Sequence, residues 1–565
     1  MTARHSLSTA YAADSPKEAS SLDPKMALPP ILGLSGPSRE HEVAWTNDKA
    51  ATLSSHSTSN RQYTLESGQM LDTEQVDEES DVVREGPAST DSHTRLLDKE
   101  EPGLSTLDAI DYFDDQHSRL SNCVLWLNNR QFWNPILLCS IITVLAILLA
   151  GVAVLNRTFK VHFSEDSDTL FRQTVVLISL DGFRPDYLNR GLTPNLNAIA
   201  KNGIQAAYMQ PSFPSVTFPN HYSIVTGLYP ESHGLVGNVF HDPVRNSTFS
   251  YSDPAKNADG YWWKGGEPIW ATAVLQGKLS ATCFWPGSEA EIRGVRPTHW
   301  RKFNWSMTSD EKIEQALEWI DLPQQERPLF ISLYFAEIDS AGHTYGVYSK
   351  EVNAALQKID HAIGELFSKL QKRRIENLIN LVIVSDHGMA DSSEDRVIYL
   401  GDDVDFSFSQ VLADGPLLRI YPEKDIELVS QSIARASMLK GHYHSYNWFQ
   451  VPPAYHYNTT RNIGEILIVP DNGWLVSTER SNRSQNYVAI PKGMHGYNNS
   501  LEDMRALFIA HGGAFKSSID GNSTTEPFEN IQVYQLLTKI MDLHPAPNNG
   551  SEKWLTEFSD KWLNK

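Results

Sequence analysis

The chain has 565 residues, room for a large catalytic domain and further segments, with 21% charged residues and a formal net charge of −21. That balance excludes a basic surface for nucleic-acid duplexes, but not nucleotides, because metal ions can carry the positive charge a phosphate needs. Three cysteines, Cys123, Cys139 and Cys283, exclude a disulfide framework; with no CxxC or Cys/His finger spacing, any metal has to be held by Asp and His.

Residues 1–130 hold 22 acids against 11 bases and lack helix or strand periodicity, which reads as a disordered, acidic cytoplasmic arm. Residues 136–155 carry no formal charge, and a helix of that length crosses a hydrocarbon core of ~30 Å. It starts too far into the chain for a cleaved signal peptide and reads as a signal-anchor helix with Trp133 near one interface. Arg119 and Arg130 before it and Arg157 and Lys160 after it leave its orientation open. The N-x-[ST] sequons settle the expectation: none precedes the helix, and eight follow it, at Asn156, Asn246, Asn304, Asn458, Asn482, Asn498, Asn522 and Asn549. The chain reads as a single-pass type II protein of the plasma or a secretory or vacuolar membrane, with its C-terminal side extracellular or lumenal.

Residues 165–565 form the expected catalytic domain. VVLISL (175–180), LFISLYF (329–335), NLVIVS (380–385) and RALFIAH (505–511) have the apolar character of buried strands. Helices are expected at 193–201, from about Thr217, and over 350–372, where Ala355, Leu356, Ile359, Ile363, Leu366 and Leu370 share a side. The alternation predicts an α/β domain around a mostly parallel sheet, with ligands beyond the carboxyl ends of its strands. The stretch near 390–490, with short strands at LLRIYP and ILIVP, reads as a cap or insert.

The strand ends carry chemistry. Asp181 follows the first run, Asp339 and His343 follow the second, Asp386 and His387 the third, and His495 lies in a loop-like KGMHGYNN. Each has an ordinary alternative: a helix cap for Asp181, an i, i+4 surface pair for Asp339 and His343, turn residues for Asp386 and His387, a loop histidine for His495. Thr217, at a helix start with Pro219 in the first turn, could be only an N-cap. Together they suggest metal ligation. Imidazole and carboxylate suit zinc, and six such ligands plus a threonine oxygen are enough for two ions about 3.5–4 Å apart. A coordinated Thr217 hydroxyl becomes a competent nucleophile, and the helix start favours a phosphate.

The segments LDGFRPDYL, TPNLNAIAKNG, PSVTFPNHYSIVTGLYPESHG, FWPGSEAEI, EIDSAGHTYG, SDHGM and GMHGYNN resemble the ectonucleotide pyrophosphatase/phosphodiesterase family of the alkaline phosphatase superfamily, over about 175–543. The resemblance implies an alkaline-phosphatase-like three-layer fold. It also implies one zinc on Asp181, Thr217, Asp386 and His387 and another on Asp339, His343 and His495. Thr217 would be the nucleophile of a nucleotidyl-threonine intermediate, with Asn238 donating to a phosphate oxygen. Phe218 would stack on the base, with Trp285 and Phe303 lining its pocket. Val216, Ile338 and Phe303 stand where the family often has Lys, Pro and Tyr, and the last bears on base preference.

The implied activity is hydrolysis of nucleoside triphosphates and related phosphodiesters to nucleoside monophosphates. A lysophospholipid or choline phosphodiesterase with the same metals is the alternative, since an aromatic pocket can also cage a quaternary ammonium. A more distant one is an inactive cell-surface binding protein. No CxPxR or SxPxR motif supports a sulfatase, and no GxxxG supports dimerisation through the apolar helix.

Overall fold

In the computed structural model the described residues are 142–146, 171, 173–479, 490–516 and 523–564. The acidic arm, Cys123, Cys139, Asn156, Asn482 and Asn522 lie outside them, as does the predicted span 136–155 apart from the helical residues 142–146. Among the described residues no helix is long and apolar enough to cross a membrane.

In chain order the principal elements are β1 (Val175–Leu180), α1 (Pro194–Asn202), β2 (Ile204–Ala206), α2 (Thr217–Thr226), β3 (Ser280–Cys283) and β4 (His299–Arg301). There follow α3 (Ser309–Ile320), β5 (Phe330–Phe335), α4 (Glu337–Tyr345), α5 (Lys350–Arg373), β6 (Asn380–Val384), β7 (Ser409–Asp414) and β8 (Leu417–Pro422). The last are α6 (Ile426–Lys440), β9 (Tyr443–Asn447), β10 (Ile466–Pro470), β11 (Phe508–His511), β12 (Thr524–Thr525), α7 (Gln532–Ile540) and α8 (Glu552–Trp562).

Eight strands form the main sheet in the order β12-β2-β11-β6-β1-β5-β3-β4. Strand alternation sends Val176, Ile178 and Leu180 into one apolar layer with residues of α1, α3 and α5, and Val175 and Leu177 into another with residues of α2 and α7. Both faces are thus covered, which explains why these strands read as unbroken apolar runs. The helices are fixed by ordinary local chemistry: Ser349 caps α5, and Thr308 and Glu311 form a capping box on α3.

β1 lies between β5 and β6, parallel to both, so the residues that follow the three strands emerge side by side at one edge. β11 runs antiparallel to β6, a direction its apolar run does not encode. Its reversal brings the loop that precedes it, with His495, to the edge where the parallel strands end.

Residues 409–470 contain a four-stranded antiparallel sheet in the order β7-β8-β10-β9. Leu418, Ile420, Ile466 and Ile468 pack with Val429, Ile433 and Ala436 of α6, whereas Leu417, Leu467 and Val469 join the core that covers the main sheet. Arg419, between Leu418 and Ile420, is completely buried.

Candidate active site

Asp181 follows β1 and is 1% exposed; Asp386 and His387 follow β6 and are wholly buried. Asp339 and His343 lie one turn apart on α4, with Oδ2 3.4 Å from Nε2. Gly182, at φ +67°, lets the chain after β1 pass α4 closely: a Cβ there would stand 3.1 Å from the Asp339 Cβ. The six charged or imidazole residues predicted as ligands therefore meet.

Three histidines are set the same way. The Nδ1–H of His343 points to Gly493 O at 2.9 Å, that of His387 to Gly388 O at 2.9 Å, and that of His495 to Ser215 O at 2.8 Å. A carbonyl only accepts, so these bonds place a proton on each Nδ1 and turn each Nε2 toward the cleft. Around them Asp181 Oδ1, Asp339 Oδ1 and Asp386 Oδ2 are buried without a hydrogen-bond partner. Asp339, His343 and His495 offer ligand atoms within 4.8 Å of one another, as do Asp181, Asp339 and His387. Asp386 Oδ2 also lies 2.9 Å from His387 Nε2 and 3.3 Å from His221 Nδ1, and such a cluster of buried carboxylate oxygens and imidazole nitrogens fits a bound divalent cation.

The electrostatics point the same way. Burial, then the neighbouring Asp386 and Asp339, push the Asp181 carboxyl well above the usual range. Asp386 is held well below it: burial opposes ionisation, but His387 and His221 outweigh that penalty. Burial, with His387 and His343 nearby, depresses the basicity of His495.

Thr217 begins α2, with Val216 at the N-cap position supplying no side-chain cap of its own. Its Oγ1 is 3.3 Å from His387 Nε2. Asn238 accepts the Phe218 N–H through Oδ1 at 2.8 Å, which turns Nδ2 the other way as a free-standing donor.

Two supporting residues escaped the sequence reading. Tyr334 donates its hydroxyl to Asp181 Oδ2 at 2.5 Å. His221 directs Nδ1 to Thr217 O at 2.8 Å and takes the Ser179 hydroxyl on Nε2, also at 2.8 Å. With both ring nitrogens engaged, His221 braces α2 and Asp386 rather than offering a ligand atom, although it lies within ligand distance of Asp181 and Asp386. The i, i+4 spacing of Thr217 and His221 was the available signal for it.

The aromatic residues divide. Phe218 packs near Phe249, Tyr251 and Trp263, and Phe303 packs against Phe284, Trp305 and Tyr334. Trp285, expected to line the base pocket, is 1% exposed and edge-on to His221, with its indole N–H donated to His221 O. A backbone acceptor satisfies the indole from inside, so the ring supports α2 from behind. Among the sequons, Asn246, Asn304 and Asn549 are exposed, and Asn458 and Asn498 are half-buried.

A family model described as type I phosphodiesterase/nucleotide pyrophosphatase matches residues 175–498. An uncharacterized pyrophosphatase/phosphodiesterase of Schizosaccharomyces pombe is 42% identical over 389 residues, covering 68% of this chain and 79% of the yeast protein. Ectonucleotide pyrophosphatase/phosphodiesterase family member 3 of Rattus norvegicus is 40% identical over 385 residues, 67% of this chain but only 43% of the rat protein. The match thus spans under half the length of that relative. Among solved structures, an inactive murine ectonucleotide pyrophosphatase/phosphodiesterase 5 in complex with AMP superposes with a TM-score of 0.64 at 32% identity, over 69% of this chain and 100% of that one. Every segment that carries a candidate ligand, from Asp181 to His495, falls inside the family match, and the sheet is that of the alkaline-phosphatase-like α/β fold: the chain belongs to the type I phosphodiesterase/nucleotide pyrophosphatase family.

Proposed function

We propose that this chain hydrolyses nucleoside triphosphates and related nucleotide phosphodiesters to nucleoside monophosphates, through a Thr217-bound intermediate at a two-zinc site. The observation that carries the reading is the convergence of three histidine Nε2 atoms and three buried carboxylate oxygens beside a threonine at a helix start. Family membership supports the reaction class, and AMP in the murine relative supports a nucleotide.

Asp181, Thr217, Asp386 and His387 would hold one ion, and Asp339, His343 and His495 the other. Three clustered carboxylates would otherwise repel a phosphate. Zinc held there would lower the pKa of the Thr217 hydroxyl and of water and would neutralise charge on the phosphoryl oxygens. Thr217 Oγ1 loses its proton to solvent and attacks phosphorus in line, and its new bond forms as the bond to the leaving pyrophosphate oxygen breaks. Water then attacks the same phosphorus, the Thr217 ester bond breaks, Oγ1 takes back a proton, and the nucleoside monophosphate leaves. Asn238 Nδ2 donates to a phosphoryl oxygen, which gains most when charge builds up in the transition state. Phe218 stacks on the base and Phe303 lines its site.

Thr217→Ala and Asp339→Ala are expected to abolish p-nitrophenol release from a nucleotide phosphodiester analogue; unchanged activity in either contradicts the mechanism. A substrate panel that includes a choline phosphodiester fixes the substrate class, and preference for that ester over ATP would overturn the nucleotide reading.

We also read the chain as a type II membrane glycoprotein anchored by residues 136–155, with the site extracellular or lumenal. The uncharged run and the placement of all eight sequons after it support this. Glycosidase treatment should increase electrophoretic mobility, and no change would count against that topology.

A further inference from the structure

The core-facing side of the small sheet carries an ion pair where strand alternation would place aliphatic residues. Arg419 on β8 and Asp414 at the end of β7 are both completely buried, with Nη2 2.7 Å from Oδ2. A buried pair of this kind is often less stabilising than a well-packed apolar replacement, so its geometry is more informative than its energy.

That geometry leads to the active site. Asp414 Oδ1 accepts the backbone N–H of Asn238 at 3.0 Å and that of Val239 at 3.3 Å. Arg419 donates Nη2 to Val236 O at 2.8 Å, and Tyr457, which also donates to Val236 O, receives Arg419 Nη1 at 2.7 Å. Two residues after Val239, the His241 N–H is received by the Tyr421 hydroxyl at 3.1 Å. Gly237 makes the approach feasible: a Cβ there would stand 2.2 Å from Asp414 Oδ2 and 2.7 Å from Arg419 Nη2. The strip 236–241 is therefore fastened from the small sheet, and Asn238 in turn accepts the Phe218 N–H at the start of the nucleophile helix.

We infer that Asp414, held by Arg419, is a positioning residue for phosphoryl transfer: it fixes the backbone of Asn238 so that Oδ1 meets α2 and Nδ2 meets the phosphoryl oxygen. This rests on the proposed role of Asn238 as a phosphate donor. The small sheet then governs the rate of a reaction whose ligands all come from outside it. Displacing the donor should act mainly on kcat, because the transition state gains more from that hydrogen bond than bound substrate does.

The test compares Asn238→Ala, Asp414→Asn, the double variant and Tyr457→Phe in the full chain, assayed with zinc on a nucleotide phosphodiester analogue. Asn238→Ala should lower kcat by about 10²- to 10³-fold. Asp414→Asn should lower kcat by about 10- to 100-fold with KM nearly unchanged. In the Asn238→Ala background the same change should cost less than about threefold, since the group it positions is already gone. Equal losses in the two backgrounds, or wild-type kcat in folded Asp414→Asn, would overturn the inference. Wild-type kcat in Asn238→Ala would instead overturn the donor reading beneath it. If Asp414→Asn does not fold, Tyr457→Phe carries the test: its kcat should fall by about three- to tenfold in the parent and stay level in the Asn238→Ala background, and an unaltered parent kcat would reject the strut.

Discussion

The Nε2 atoms of His343 and His495 face each other at 3.1 Å, with each Nδ1–H already directed at a backbone carbonyl. Two neutral imidazoles so arranged present lone pair to lone pair, and a cation between them removes the conflict. Chelation is expected to abolish hydrolysis and lower the melting temperature, and added zinc to restore both. At a free-ion concentration a thousandfold above Kd the stabilisation is about 4 kcal/mol. A melting curve unmoved by chelator would contradict cation binding here.

Gly182→Ala should damage the same place by another route. At φ +67° an alanine is strained, and its Cβ would press on Asp339, whose Oδ1 lies 3.2 Å away. The expected outcome is destabilisation by about 1–3 kcal/mol and a loss of activity with reduced bound zinc. Denaturant titration and metal analysis measure the two effects separately.

Tyr334→Phe removes the hydroxyl donated to Asp181 Oδ2 while keeping the ring that packs near Phe303. The folded variant should bind its cation about 10- to 100-fold more weakly, read by competition with a calibrated chelator. Unchanged affinity would mean that the hydroxyl does not orient the carboxylate.

Acid sensitivity should have a source away from the reacting atoms. His233, at the end of the short helix Pro230–His233, is buried, and burial pushes its pKa down to about 3. The unfolded chain takes up this proton near pH 6.5 and the folded one does not, so stability is lost as pH falls through the interval between the two values. The slope from this residue is about 1.4 kcal/mol per pH unit. His233→Gln should have an unfolding free energy that falls less steeply below pH 6, and parallel curves for variant and parent would reject the assignment.

The central strands and the acids that follow them were legible because a parallel strand covered on both faces shows as an apolar run, and its end shows as the first charged residue. Asp181, Asp386 and His387 were found in that way. Direction leaves no such trace, so nothing in the run before His511 disclosed that β11 is reversed. Tyr334 was hidden inside an apolar strand, where a tyrosine reads as packing, and aromatic character alone did not say which face of a helix Trp285 supports. SQVLAD, the sequence of β7, mixes polar and apolar residues and gave no strand signal, so the partnership of Asp414 with Arg419 came only from the pairing of β7 with β8.

The reversal of β11 also bears on how the domain is made. The first candidate ligand leaves the sheet at β1, and the last arrives in the loop before β11, after the small sheet has been threaded between them. Contacts this distant in sequence close late, because loop entropy is lost before they return any stabilisation. A nascent chain therefore has no complete cation site until nearly all of the domain has been synthesised and folded, and metal uptake during biosynthesis should report the end of folding rather than its beginning.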